Sequence, residues 1–210
     1  MLPVEFNIFY EDFFQNPYPM LAELRKKAPI SFVPQLNAIL LSKHEDIFVC
    51  EKNTAVFSSI QPNGLMTRLM GQNMMRKDGE EHKRERHVIF PTVSPKTTQN
   101  VWKQKFVDHT KKILNNLSKK QEIDLVNEFA KPVSAEALKS ITGLTNMTWQ
   151  EMDRVSQGMI DGCANYNQNK MVEENCHRCT ASIDFHIQER LEQDLGSEPS
   201  LLSVFALKNE

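Results

Sequence analysis

The chain has 210 residues, room for one large domain or two small ones, and its 40% hydrophobic and 25% charged content is that of an ordinary globular protein. That balance excludes collagen, coiled coil or disorder as whole-chain answers. A net charge of −2, from 25 basic and 27 acidic residues, supplies no field to recruit nucleic acid or an anionic membrane surface, and 7 glycines disfavour an all-β fold rich in tight turns.

The opening MLPVEFNIFYEDFF has neither a basic n-region nor an uninterrupted apolar stretch, so no secretory signal or membrane anchor is expected. Cys50, Cys163, Cys176 and Cys179 are not spaced as a disulfide framework, which points to a reducing, cytoplasmic setting. Asn16-Pro17 predicts the start of a helix over 17–27, stopped before Ala28-Pro29. Ile30–Val33 and Ala38–Leu41 flank Pro34-Gln35-Leu36-Asn37 and predict a hairpin. Ser42 with Glu45 resembles a capping box, which places the next helix over 43–51. Residues 53–75 contain Pro62, Gly64 and Gly71 without a sustained period and predict a long loop with at most one helical turn.

Asp78 with Glu81 resembles a second capping box, launching a helix to about Phe90. Ser94-Pro95 begins a longer one, in which Trp102, Phe106, His109, Ile113 and Leu117 recur at helical spacing. A short strand is expected over 122–126. A helix to Ile141 follows, with Pro132 in its first turn or at a kink and Gly143 as its stop. Thr148 with Glu151 caps a helix toward Tyr166, another runs from about Met171 to Leu195, and a last begins at Leu201. The fold class is therefore mainly α with a small β-hairpin element.

Two stretches invite a chemical reading. His82 and Arg86 stand four residues apart on one helical face, in line with the apolar Ile89 and Phe90. A guanidinium fork and an imidazole suit a dianionic ligand group, although Lys83, Arg84 and Glu85 would equally suit a charge-laced surface helix. Cys176-His177-Arg178-Cys179 has redox or zinc spacing, but Val172, Cys176, Cys179, Ile183, Ile187 and Leu191 form one stripe. Both thiols thus fall mid-helix on a buried face, away from the helix N-terminus that activates thiols, and no second ligand pair is spaced for zinc. Cys50 and Cys163 are read as core cysteines too. Leu65, Met66, Leu69, Met70, Met74 and Met75 form an apolar, methionine-rich segment, either ordinary core or the adaptable wall of a pocket.

The ordered set of segments resembles the N-terminal half of a soluble, bacterial-type cytochrome P-450, a haem-thiolate monooxygenase. The resemblance runs through DFFQNPYPMLAELRKKAPI, LSKHEDI after the hairpin, VFSS, MMRKDGEEHKRER followed by FPTVSP, EIDLV, the helix ending ITGL, and MIDGCANY. It spans nearly the whole chain, as a single portion 1–210 of that fold. It implies that His82 and Arg86, in the DxxEHxxxR stretch, bind the haem propionates. It also implies that Leu65, Met66, Leu69, Met70, Met74 and Met75 face substrate, and that residues 157–166 roof the pocket. Gly79 stands where many relatives carry proline.

The same resemblance implies an apolar small-molecule substrate, O2, and a ferredoxin- or reductase-type electron donor. The family's acid–Thr helix, ExxR motif and cysteine-ligand loop have no counterpart in the sequence. Glu81/Arg84 and Glu151/Arg154 match ExxR only by spacing, and none of the four cysteines has the context of the axial ligand. The expectation is a haem-binding portion of an oxidoreductase that is inactive on its own. The alternatives are a non-enzymatic helical binding module with an apolar groove and a purely structural helical domain.

Overall fold

The computed structural model describes residues 4–207. The backbone gathers into two compact units, one up to Ser59 and one from Ile60 onward. In the first unit, helix α1 (Tyr10–Gln15) precedes α2 (Pro17–Lys27), whose start is fixed by the Asn16 side chain accepting from the Tyr18 N–H at 3.4 Å. The hairpin forms as predicted: strand β2 (Ile30–Val33) pairs antiparallel with β3 (Ala38–Leu41), from Ile30 opposite Leu41 to Val33 opposite Ala38. Its turn closes through Pro34–Leu36 and Asn37, which takes the left-handed φ of 47° that asparagine tolerates.

A third strand, β1 (Val4–Glu5), lies parallel to β2, so the element is a three-stranded sheet. Two residues carry no alternation to read, which is why sequence periodicity misses it. Helix α3 (His44–Lys52) begins without a side-chain cap. The Ser42 hydroxyl instead donates to the Pro29 carbonyl at 3.2 Å, tying the two ends of the hairpin together.

The second unit is almost wholly helical. Helix α4 (Leu65–Met70) and a tight 3-10 turn, Met74–Arg76, lead into α5 (Gly79–Val93), which continues through Pro91. Gly79 opens it at a φ of +58°, a conformation closed to proline. Ser94 caps α6 (Pro95–Thr97), which passes through a wider turn with π-type hydrogen bonding, Thr98–Trp102, into α7 (Lys103–Leu117). Trp102 is buried there, and its indole N–H donates to the Thr92 carbonyl at 2.7 Å.

The strand expected over 122–126 does not form. Asp124 accepts from the Val126 and Asn127 N–H groups, both at 3.0 Å, and starts a π-type turn, Leu125–Ala130, that runs directly into α8 (Lys131–Thr142). A short apolar stretch without a partner strand loses to a side-chain cap. Gly143 ends α8 at a φ of +86°. Thr148 caps α9 (Trp149–Cys163) by accepting from the Glu151 N–H at 3.1 Å. Helix α10 (Lys170–Leu191) stops four residues short of the expected Leu195, and α11 (Leu201–Ala206) starts from a Ser200 cap. No helix among the described residues is long and apolar enough to cross a membrane.

The core gathers where α8, α9, α10 and α11 meet, around Ala135, Leu144, Met147, Met152, Val155, Cys179 and Leu202. Helices α9 and α10 approach closely because α9 offers glycines where α10 offers thiols. Gly158 faces Cys179 and Gly162 faces Cys176, and both cysteines are 0% exposed. The stripe that buries the CxxC pair in the sequence is therefore a packing seam. Cys50 and Cys163, expected in the core as well, are only half-buried.

One polar network crosses the same pair of helices. Arg154 grips Glu151 with two bonds, at 2.8 and 2.6 Å, and the Ser182 hydroxyl of α10 donates to the same carboxylate at 2.6 Å. The Arg154 guanidinium, with the Ser182 hydroxyl, holds the Glu151 carboxyl down at about 2 against an ordinary 4.5. A carboxylate whose folded pKa is depressed stabilises the fold above its unfolded pKa and loses that contribution as pH falls toward the folded value. Between pH 4.5 and 2, wild type should lose about 1–2 kcal/mol that Glu151→Gln does not, after allowance for the half-exposed Arg154. Denaturant unfolding of both proteins across that range checks this; parallel pH profiles would refute it.

Candidate functional site

Helix α5 and the turn before it form a cationic segment whose carboxylates are all engaged. Lys77 binds Glu81 at 2.9 Å and Glu85 at 2.5 Å, and Lys83 binds Glu80 at 2.7 Å. The two carboxylates raise the Lys77 pKa, Glu85 most. Among the described residues, the side chains of His82, Arg86 and Arg76 then have no hydrogen-bond or ion-pair partner.

His82 and Arg86 lie on one face of α5, His82 half-buried and Arg86 exposed. One turn further along, Ile89 is half-buried while Phe90 is 51% and Val93 48% exposed. Cations without counter-charges thus adjoin an uncovered apolar surface on a single helix. Such a surface suits an anionic group attached to an apolar body, since each part meets its complement. Haem, two carboxylates on an apolar macrocycle, is a group of that kind, and these residues fit it.

The methionine-rich segment divides. Leu69 is 4% exposed and packs toward α9, where a Cβ added at Gly162 would sit 3.2 Å from its Cδ1. It anchors α4. Leu65, Met66, Met70 and Met74 are half-buried, and Met75 is 60% exposed, so their long side chains line the part of the segment that remains accessible. Arg68 of α4 reaches Glu173 of α10 at 3.7 Å.

Arg76 and Lys77 went unread in the sequence, where they look like two more charges beside a charged helix. The Arg76 Nε is buried without a partner. Its charge partly offsets the effect of burial on Cys163, whose thiol is nonetheless pushed up. Burial pushes the Cys176 thiol up too, the opposite of what a reactive or metal-binding thiolate needs. Neither ExxR-spaced pair acts alike: Glu81 turns back to Lys77, whereas Glu151 and Arg154 pair across α9. No group of three His, Cys, Asp or Glu side chains among the described residues is arranged to hold a metal ion.

No protein-family profile matches the chain. In sequence it is similar to a cytochrome P-450 of Bacillus subtilis, at 22% identity over 145 residues, covering 69% of this chain and 36% of that protein. It is also similar to the pulcherriminic acid synthase of Bacillus subtilis, at 18% identity, covering 95% of this chain and 49% of the relative. Among solved structures, cytochrome P-450 BioI, in complex with an acyl carrier protein ligated to hexadec-9Z-enoic acid, superposes with a TM-score of 0.78 at 16% identity. That match covers 95% of this chain and 54% of BioI. Cytochrome P-450 260B1 of Sorangium cellulosum superposes with a TM-score of 0.74 at 17% identity, covering 99% of this chain and 54% of the other. The chain therefore resembles bacterial cytochromes P-450 in sequence and has the fold of their N-terminal half, and it spans about half the length of the structures it matches.

Proposed function

We propose that this chain provides the propionate-binding and substrate-facing half of a haem-dependent monooxygenase. The whole protein would oxidise an apolar small molecule with O2 and electrons from a ferredoxin- or reductase-type donor. The observation that carries the reading is the cationic face of α5, where His82 and Arg86 keep free donors while every carboxylate of the helix's first two turns is bound by a lysine. Arg86 would offer its planar fork, and His82 a ring N–H, to the haem propionates. Ile89 and Phe90 cover the apolar edge beside them. Haem, bound with a cysteine thiolate, would supply the activation of O2.

The remaining residues shape the space around that chemistry. Met66, Met70, Met74 and Met75 present unbranched side chains that repack around ligands of different shape, and they bear on substrate choice. Residues 157–166, the end of α9, would cover the ligand and exclude water. The axial thiolate, on this reading, comes from outside these 210 residues. Cys176 and Cys179 are sealed between α9 and α10, and the Cys163 thiol is raised by burial.

Titrating the purified chain with haem, followed by reduction under carbon monoxide, tests the proposal. Haem should be taken up without the absorption band of a thiolate-ligated iron, and a supplied reductase should give no turnover. A thiolate-type band would put the iron on one of the chain's own cysteines. No uptake at all would favour a helical binding module without haem.

A further inference from the structure

Arg76 ends the turn Met74–Arg76, between the methionine-rich segment and α5. Its Nε is buried without a hydrogen-bond partner, and among the described residues its guanidinium has no ion pair. Acceptors are not scarce in the sequence around it. Glu80, Glu81 and Glu85 all follow within nine residues, yet Lys83 and Lys77 take all three. Leaving a buried N–H donor unsatisfied is costly, so an arrangement that commits these three glutamates to lysines points to an acceptor brought from outside.

The surroundings say what kind of acceptor. Met74 and Met75 precede Arg76 in the same turn, and Met66 and Met70 lie on the half-buried side of α4. On the other side the Arg76 charge is felt at Cys163, at the end of α9. The turn that carries Arg76 is therefore continuous with an apolar, adaptable segment. A single planar fork matches one carboxylate.

We infer that Arg76 selects substrate, by pairing with the carboxylate of an apolar molecule whose chain lies along Met66, Met70 and Met74. The inference rests on the monooxygenase reading for the word substrate, and it assigns Arg76 a role separate from the haem-holding pair.

The test titrates the chain with dodecanoate and with the matching primary alcohol, following binding by calorimetry. It then repeats both titrations on Arg76→Gln and Arg76→Lys. Wild type should bind the carboxylate at least about tenfold more tightly than the alcohol. Arg76→Gln should lose that preference with alcohol binding unchanged, and Arg76→Lys should keep part of it. An equal preference in wild type and Arg76→Gln, or none in wild type, overturns the inference. Haem uptake is measured on the same proteins: if Arg76→Gln loses haem as His82→Ala/Arg86→Ala does, Arg76 belongs to the haem-holding set and the inference falls. If instead the double variant binds haem like wild type while the carboxylate effect at Arg76 persists, the haem reading fails and the anion site stands.

Discussion

The double variant His82→Ala/Arg86→Ala is expected to bind haem at least about a hundredfold more weakly than wild type, with most of the loss at Arg86. At an effective dielectric near 20, a charge pair at ~4 Å is worth roughly 4 kcal/mol before desolvation. An exposed guanidinium gives back part of that to water. A charge-assisted hydrogen bond lost without replacement still costs about 1.5–3 kcal/mol. Arg86→Lys should fall between wild type and Arg86→Ala, since it keeps the charge but not the fork. Competition for haem against an apo-protein acceptor, read from the visible spectrum, measures all three. Equal affinity in wild type and the double variant would remove α5 from the haem site.

The second large effect is on stability. A methyl group added at Gly158 would run into the Cys179 sulfur, and one added at Gly162 would lie 2.5 Å from the Cys176 sulfur and 2.8 Å from its Cβ. Both glycines and both thiols are buried in a seam that cannot widen without separating two helices. Gly158→Ala and Gly162→Ala should each cost about 2–3 kcal/mol by denaturant unfolding. The two rescues should differ. Cys179→Ala removes the sulfur and leaves a Cβ 3.5 Å away, an ordinary contact. The remaining close atom is the Asn175 amide nitrogen at 2.9 Å, the end of a side chain that can turn aside, so this variant should restore most of the stability of Gly158→Ala. Cys176→Ala leaves the 2.8 Å clash in place and should not rescue Gly162→Ala. Equal rescue at both positions would mean that the seam adjusts by backbone movement.

Most of the helical framework could be read from the sequence because its punctuation is chemical and local. Asn16, Ser94 and Thr148 each place an oxygen on an orphan backbone N–H, and Gly143 takes the left-handed turn that ends a helix. Ser42 misled for the same reason: its hydroxyl has two possible partners, and the Pro29 carbonyl is visible only once the hairpin has closed. The strand expected over 122–126 failed because a short apolar stretch specifies a strand only where another strand is waiting. At the candidate site, the His82–Arg86 spacing was legible, since helical periodicity alone puts the pair on one face. That Lys77 occupies two carboxylates and leaves Arg76 with none was not legible, because it depends on a turn returning along the helix.

The π-type turn at Thr98–Trp102 has a bearing on how this stretch of sequence tolerates insertion and deletion. Relative to an α-helix it accommodates about one extra residue per turn, and it does so just before the fifteen residues of α7. Removing one residue within 98–102 would let the turn relax into regular α-helix, a gain in local geometry. Because the wide turn sweeps about the same angle as an α-turn one residue shorter, everything beyond it would keep its orientation, with Phe106, Ile113 and Leu117 on the side on which they now lie. A deletion inside the regular α7, by contrast, would turn everything beyond it by about 100°. Single-residue deletions in this part of the chain should therefore be tolerated within 98–102 or between Leu117 and Asp124, and not inside α7.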